Sequence, residues 1–251
     1  MKNICKLVLA TLTCGWLLSG CDLEREDFEK ISPDNFYKNE SDCKAALASL
    51  YGKFTEGPWG SYFGQDEGSF IVFTEMTTDI MNCTWGDYGS WAKLNEHTWT
   101  ASNNLPVDKF VLYKDITTAR NVIRKIEQAP VSDNVKKELI AEAKLIRGWR
   151  AYLLYDSYGP VPVASDNMLD NPQEDFYPER MSRADFVKFI VDEINSAIPD
   201  LKDPSEQRDA DFGRVNKGIA YMVLMKLYMV EKDFAKMKEY AEKIKALNYL
   251  N

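Results

Sequence analysis

The side chains best suited to chemistry in this sequence are aromatic rings and one acid on a glycine-rich stretch. Trp85, Tyr88 and Trp91 flank Asp87, with two glycines between them, and Asn82 precedes the group. Sugar rings present flat apolar C–H faces that stack on indole and phenol rings, while carboxylate and amide groups bind the hydroxyls. The stretch therefore predicts non-covalent binding of an oligosaccharide by these five residues.

The surrounding window, residues 55–107, is rich in glycine and holds four of the six tryptophans, namely Trp59, Trp85, Trp91 and Trp99. A long loop without regular structure tends to be functional in a compact domain. The alternative is that these rings pack inward as a small satellite core beneath the loop. The sequence is compatible with both interpretations.

The sequence contains few of the residues and motifs that catalytic sites need. His97 is the only histidine, so a metal site rich in histidine is excluded and we expect a surface or structural role for this residue. The sequence lacks the G-x-S-x-G, H-E-x-x-H and phosphate-binding glycine motifs. Paired carboxylates for glycoside hydrolysis remain a distant option, with candidates Asp66, Glu67, Asp79 and Asp87. We predict a protein that is not an enzyme, with no metal and no cofactor.

The N-terminus has the three-part layout of a secretory signal peptide. Lys2 and Lys6 precede the apolar run Leu7–Leu18, which is too short to span a bilayer. Two small residues then precede Cys21, as in a bacterial lipobox, where the thiol is acylated and cleavage leaves the cysteine as the new N-terminus. We predict a signal peptide over residues 1–20 and a lipid on Cys21; the alternative is a plain secretory signal with an incidental cysteine.

The net charge limits the classes of partner that we expect, and the cysteine content limits the possible disulfides. The formal net charge of -8 argues against nucleic acid, and contact with the membrane is expected only through the lipid. Residues 21–38 are interpreted as an acidic tether. Cys43 and Cys83 either form one disulfide or stay as two buried thiols.

Apolar residues recur at helical spacing along most of the remaining chain. Ser132 and Ser182 are predicted N-caps, and Gly159 followed by a proline predicts a helix end. The predicted helices cover Ser41–Phe54, Phe110–Ile126, Ser132–Tyr158, Phe186–Leu201, Ile219–Val230 and Phe234–Leu247.

Helices joined by short turns predict an all-α fold, a tetratricopeptide-like helical-repeat scaffold with long aromatic-rich loop insertions. Residues 220–247 match that repeat best. Ile219–Val230 is almost wholly apolar and is predicted to be a buried central helix. The segment Ala164–Pro178 carries several acids and is predicted to be a solvated loop.

Three further stretches carry a resemblance to a known family. They are EAKLIRGWRAYLL at residues 142–154, YGPVP at 158–162 and GRVNKGIA at 213–220. Together with the lipobox and the aromatic loop, they resemble the SusD/RagB family of surface nutrient-binding lipoproteins. Gly148 stands where alanine is usual in that family and predicts close helix packing. The resemblance covers only the N-terminal half of a typical member, so residues 39–251 are expected to be a helical domain lacking the C-terminal half.

The resemblance implies a role in nutrient uptake. Members present an oligosaccharide, or in some relatives a peptide, to a SusC-like TonB-dependent transporter at the outer membrane. Family ligand contacts follow the position of Asp79, which favours Trp85, Asp87, Tyr88 and Trp91, with Asn82 a weaker candidate. The alternative function is a helical-repeat adaptor that binds peptides or proteins on its concave face.

Overall fold

The fold is known from a computed structural model that describes residues 36–55, 74–82, 91–100, 113–171 and 177–247. From Tyr37 onward these residues belong to one compact unit. The secondary structure in these ranges is helical, which confirms the predicted all-α class and is consistent with the tetratricopeptide-like scaffold.

Eight α-helices are found in the described ranges, and we number them in chain order. They are α1 Glu40–Gly52, α2 Ala92–Asn95, α3 Lys114–Gln128, α4 Asp133–Tyr158, α5 Asp166–Asp170, α6 Arg183–Ala197, α7 Lys217–Val230 and α8 Phe234–Ala246. Short 3₁₀ turns at Ile198–Asp200, Pro204–Glu206 and Asp209–Asp211 connect α6 to α7.

Helix boundaries follow the capping chemistry that the sequence predicted. Ser132 Oγ accepts the Val135 amide at 3.4 Å, and Ser182 Oγ accepts the Asp185 amide at 3.1 Å. Each cap satisfies an amide that the first helical turn leaves without a backbone partner. Gly159 ends α4 with a φ of 73°, a conformation that glycine adopts without steric cost.

Helix α4 is the centre of the unit. It packs against α1, α3, α6 and α7, and thirteen of its residues are buried. The prediction that Ile219–Val230 would be the buried central helix is therefore wrong in part. Met222 and Met229 on α7 are exposed, because α7 packs against its neighbours on one side only.

Gly148 confirms the prediction of close packing between α4 and α6. A Cβ atom built there would lie 2.6 Å from Ile194 Cγ1. Real Cβ atoms are essentially never found so close to another heavy atom. Glycine is less favourable than alanine in a helix by about 1 kcal/mol, but at position 148 it allows α4 and α6 to pack closely.

Two expectations about loops need correction. Within the window 55–107, part of the chain is helical, since Ala92–Asn95 forms α2. Within Ala164–Pro178, residues Asp166–Asp170 form α5, capped by Ser165. The acids of α5 are not simply solvated: Asp166 accepts two hydrogen bonds from Arg120 at 2.9 and 2.6 Å, and Asp170 pairs with Arg124.

The pair α7 and α8 occupies the predicted best repeat match. Tyr228 and Tyr240 stack across it with ring centroids 5.7 Å apart. Phe234 lies within the segment 220–247 that matches the repeat best, and it is 60% exposed at the first turn of α8. Cys43 on α1 is fully buried and is a free thiol, while Cys83 lies outside the described residues.

Candidate functional site

The predicted binding stretch is described only at its two ends. Trp85, Asp87 and Tyr88 lie outside the described residues, so their placement stays a prediction. Asn82 is exposed at the upstream end, and Trp91 begins the downstream end. The segments on either side, residues 74–82 and 91–100, form what we call the loop base.

Trp91 is buried, with 4% of its surface exposed, and it directly precedes α2. Leu94, one turn later, is fully buried as well. In this conformation the indole of Trp91 has no open face for stacking on a sugar. For this ring the inward-packing interpretation applies, because an apolar residue at the start of a short helix gains more from burial than from exposure.

Asn95 holds the two segments of the loop base together. Its Nδ2 donates to the carbonyl of Met76 at 2.8 Å and to that of Met81 at 2.8 Å. One amide group thus satisfies two backbone acceptors fourteen and nineteen positions upstream. A single asparagine at a helix end carries no sequence pattern that predicts such distant partners, so this role of Asn95 is visible only in the structure.

His97 makes the second link across the loop base. Its Nε2 donates to the Thr77 carbonyl at 2.9 Å, which requires the proton to be on Nε2. The ring is exposed and lies beside Trp99, with centroids 5.5 Å apart and planes tilted by 39°. The expected surface or structural role of His97 agrees with this contact.

Exposed apolar groups remain on the loop base after these contacts are made. Trp99 is 40% exposed and Ile80 is 77% exposed. Asp79, on the same segment, is exposed too. The geometry gives a braced platform with an accessible indole, which suits non-covalent contact with a ligand better than acid–base chemistry.

The strongest electrostatic cluster lies elsewhere, around Glu142 on α4. This carboxylate accepts hydrogen bonds from the Tyr51 hydroxyl and from Arg214, whose Nε is 3.1 Å from Oε2. The Tyr51 hydroxyl in turn accepts the Val215 amide at 2.9 Å. Burial raises the pKa of Glu142, although Tyr51 and Arg214 both favour its charged form.

This Glu142 cluster is structural. Burial and the nearby Glu142 raise the pKa of Tyr51 well above its ordinary range, so the phenol stays a donor. Arg214 also pairs with Glu138 at 3.3 Å and Asp211 at 2.7 Å, which saturates the guanidinium with carboxylates. The cluster therefore fixes α1 and the segment before α7 against α4.

The carboxylates considered for hydrolysis are not assembled into a pair by the described residues. Asp66, Glu67 and Asp87 lie outside these ranges, and Asp79 is exposed. Within the same ranges, no group of three or more His, Cys, Asp or Glu side chains could hold a metal ion.

An apolar groove of about 390 Å³ lies beside the C-terminal end of α1. Phe54 and Trp149 line it with ring centroids 4.7 Å apart. A second cavity of about 240 Å³, between α4 and α7, shares Trp149 and Ile219 with the first. Both linings are mostly apolar, and their polar side chains are Tyr51 and Thr55 in the first and Tyr152 and Lys226 in the second.

The described helices and the loop base define a class of protein, namely an all-helical scaffold of the tetratricopeptide-like kind with the exposed indole of Trp99 on the loop base. A family model described as "Starch-binding associating with outer membrane", the SusD-like model, matches residues 27–229. The chain therefore belongs to the SusD-like family. This is a family of carbohydrate-binding proteins that are not enzymes, in agreement with the sequence-based prediction.

Individual relatives are distant. A SusD-like protein of Bacteroides ovatus is 26% identical over 235 residues, covering 90% of this chain and 40% of the relative. The starch-binding protein SusD of Bacteroides thetaiotaomicron is 24% identical over 194 residues, covering 72% of this chain and 33% of the relative. The chain thus spans about 40% or less of the length of these two curated relatives.

Solved structures show the same fold. A SusD-like protein of Bacteroides fragilis superposes with a TM-score of 0.70 at 19% identity, covering 88% of this chain and 41% of the other. A laminarin-binding SusD-like protein gives a TM-score of 0.69 at 20% identity, covering 83% of this chain and 44% of the other.

Among the helices of the described ranges, none combines the length and the hydropathy of a membrane-spanning segment.

Proposed function

We propose that this protein binds an oligosaccharide at the outer-membrane surface without altering it. It then presents the sugar to a SusC-like TonB-dependent transporter. The observation that carries the proposal is the match of residues 27–229 to a family of carbohydrate-binding, outer-membrane-associated proteins. A lipid on Cys21 would hold the protein at the membrane, because several acyl chains on one cysteine bind a bilayer firmly.

The proposed ligand site is the loop that carries Trp85, Asp87 and Tyr88, with Asn82 at its upstream end. The braced loop base supports this proposal, since Asn95 and His97 join the segments 74–82 and 91–100, which flank residues 83–90 in the sequence. A site of fixed geometry loses less conformational entropy when ligand binds. Trp91, being buried, would serve by holding the downstream end of the loop in place.

The test is calorimetric titration of residues 22–251, which retain the compact unit from Tyr37 onward. The probes are maltoheptaose and laminarihexaose, because relatives are named for starch and laminarin binding. We expect binding of at least one probe, lost in Trp85→Ala and kept in Phe234→Ala, where the exposed ring lies on α8.

Four outcomes would contradict parts of this proposal. Binding that survives Trp85→Ala would remove the loop assignment. Failure to bind any member of a broad glycan panel would count against carbohydrate binding itself. Release of shortened products from a probe would show catalysis. Selective binding of peptides instead of sugars would favour the adaptor function that the sequence left open.

A further inference from the structure

Trp99 is an exposed tryptophan with no role in the site proposed above. Its side chain is 40% exposed, whereas Trp91, eight positions earlier, is 4% exposed. Indoles have the largest apolar surface of any side chain, and leaving one open to water forgoes the free energy of burying it. Exposure alone does not indicate function, since Phe234 is 60% exposed; Trp99 differs from it in lying beside the ring of His97 on the loop base.

His97, the neighbour of Trp99, occupies a backbone position at which glycine is the usual residue. It follows the last turn of α2 with a φ of 55°. The Thr98 amide donates to the Lys93 carbonyl at 3.0 Å and the His97 amide to that of Leu94 at 3.3 Å. This is the Schellman arrangement, and the residue at the left-handed position is here a histidine.

At a left-handed backbone position, any residue other than glycine lowers the stability of the folded state relative to glycine. The contacts of the His97 ring give a reason for keeping it. Nε2 donates to the Thr77 carbonyl at 2.9 Å, which fixes the ring plane. In the neutral ring Nδ1 is then a hydrogen-bond acceptor.

The fixed imidazole stands beside the indole. Their centroids are 5.5 Å apart, within the range in which aromatic rings interact favourably. The two rings together offer an apolar face and, from His97 Nδ1, a polar acceptor. This combination matches a sugar ring, which has C–H faces for stacking and hydroxyls that donate.

We propose that Trp99 and His97 form a sugar-binding subsite on the loop base. Trp99 stacks on the apolar face of a sugar ring, and His97 positions the indole and accepts one hydroxyl. The subsite rests on the proposed carbohydrate-binding function and extends it to residues that are independent of Trp85, Asp87 and Tyr88. The net charge of -8 on the chain favours a neutral over an anionic oligosaccharide as the ligand.

The experiment is titration of residues 22–251 with maltoheptaose and laminarihexaose. Trp99→Ala should weaken binding about tenfold, which corresponds to about 1.4 kcal/mol for the loss of one stacked aromatic contact. Trp99→Phe, which keeps a ring, should recover part of the loss. Phe234→Ala, an exposed aromatic on α8, is the matched control and should bind like the wild type.

The variant His97→Gly tests whether the His97 ring contributes to ligand binding apart from its contribution to folding. Glycine fits the left-handed position and removes the strain there, which offsets part of the loss of the hydrogen bond from His97 to Thr77, so the variant should still fold and unfold cooperatively near the wild-type temperature. It should nevertheless bind the probe several-fold more weakly, because the ring beside Trp99 is gone. His97→Gly that binds normally would overturn the part assigned to His97.

The outcomes distinguish this subsite from the broader function. If the wild type binds a probe and Trp99→Ala binds it equally well, the subsite is wrong and the carbohydrate-binding function stands. If the wild type binds no glycan in a broad panel, both proposals fail together. If Trp99→Ala is weakened while Trp85→Ala is not, the subsite stands and the site assigned to the 85–88 loop fails.

Discussion

Single residues in this protein show how much a local sequence signal can predict. Ser132, Ser182 and Gly159 act at helix ends as expected, because a cap depends on the next three residues only. Gly148 was expected to permit close packing and does so. In contrast, Asn95 bonds to carbonyls fourteen and nineteen residues away, and no local pattern predicts partners at that distance.

Gly148→Ala should destabilise the protein by about 1 kcal/mol. The added methyl group would lie 2.6 Å from Ile194 Cγ1 and must displace it. Overpacking costs about 1–3 kcal/mol, from which the better helix propensity of alanine recovers about 1 kcal/mol. Urea denaturation measures the change in the free energy of unfolding.

A double-mutant cycle with Ile194→Ala is the control for Gly148→Ala. Since Ile194→Ala removes the clashing atom, the double variant should be more stable than the sum of the two single effects predicts. Additive effects would show that the clash is relieved elsewhere, and the assigned contact would then be wrong.

At the scale of elements, polar clusters join helices that are far apart in the sequence. Arg147 on α4 donates to Glu193 on α6 at 2.9 Å and to the Ile116 carbonyl on α3 at 3.2 Å. Helix periodicity predicted each of these helices but not which of them would meet. The order of packing depends on side chains from several helices together, and one sequence alone does not reveal those pairings.

The Glu142 cluster leads to a prediction about pH. Burial raises the pKa of Glu142 above its ordinary value of 4.5, so the folded protein holds this proton to higher pH than the unfolded chain does. By linkage, the contribution of Glu142 to stability is largest at low pH and is lost as pH rises through the raised pKa. Glu142→Gln keeps the shape and does not titrate.

The free energy of unfolding of the wild type, relative to Glu142→Gln, should therefore fall as pH rises from the ordinary value of 4.5 through the raised pKa of Glu142. Urea denaturation at several pH values measures this difference. Glu138→Gln is the matched control, because Glu138 pairs with the same Arg214 from a more exposed position. A wild type that gains on the Gln variant as pH rises would show that Arg214 outweighs burial.

The whole chain combines a compact helical unit with a predicted membrane anchor. The sequence predicted the helical class and the family resemblance well, because apolar periodicity and the 142–162 stretch are strong signals. It predicted less about the aromatic window, where glycine and aromatic content does not determine which rings are buried. Trp91 and Trp99 differ in exposure for reasons of packing that only the structure shows.

Cys21→Ser tests the proposed anchor. The variant cannot be acylated at this position, so it should move from the membrane fraction to the soluble fraction of the cell. Mass spectrometry of the wild type should find the lipid on an N-terminal Cys21. A wild-type chain that is soluble, or a variant that stays on the membrane, would contradict lipidation there. Carbohydrate binding by the isolated domain should not change.

The free thiol of Cys43 allows the separation of α1 from its neighbours to be measured by chemical labelling. The side chain is fully covered and its pKa is raised by burial, so an aromatic disulfide reagent can attack it only after α1 separates from its neighbours. In a variant that retains Cys43 as its sole cysteine, the rate of labelling reports how often that separation occurs. Sugar added during labelling would then show whether ligand binding slows the motion of a helix remote in sequence from the loop base.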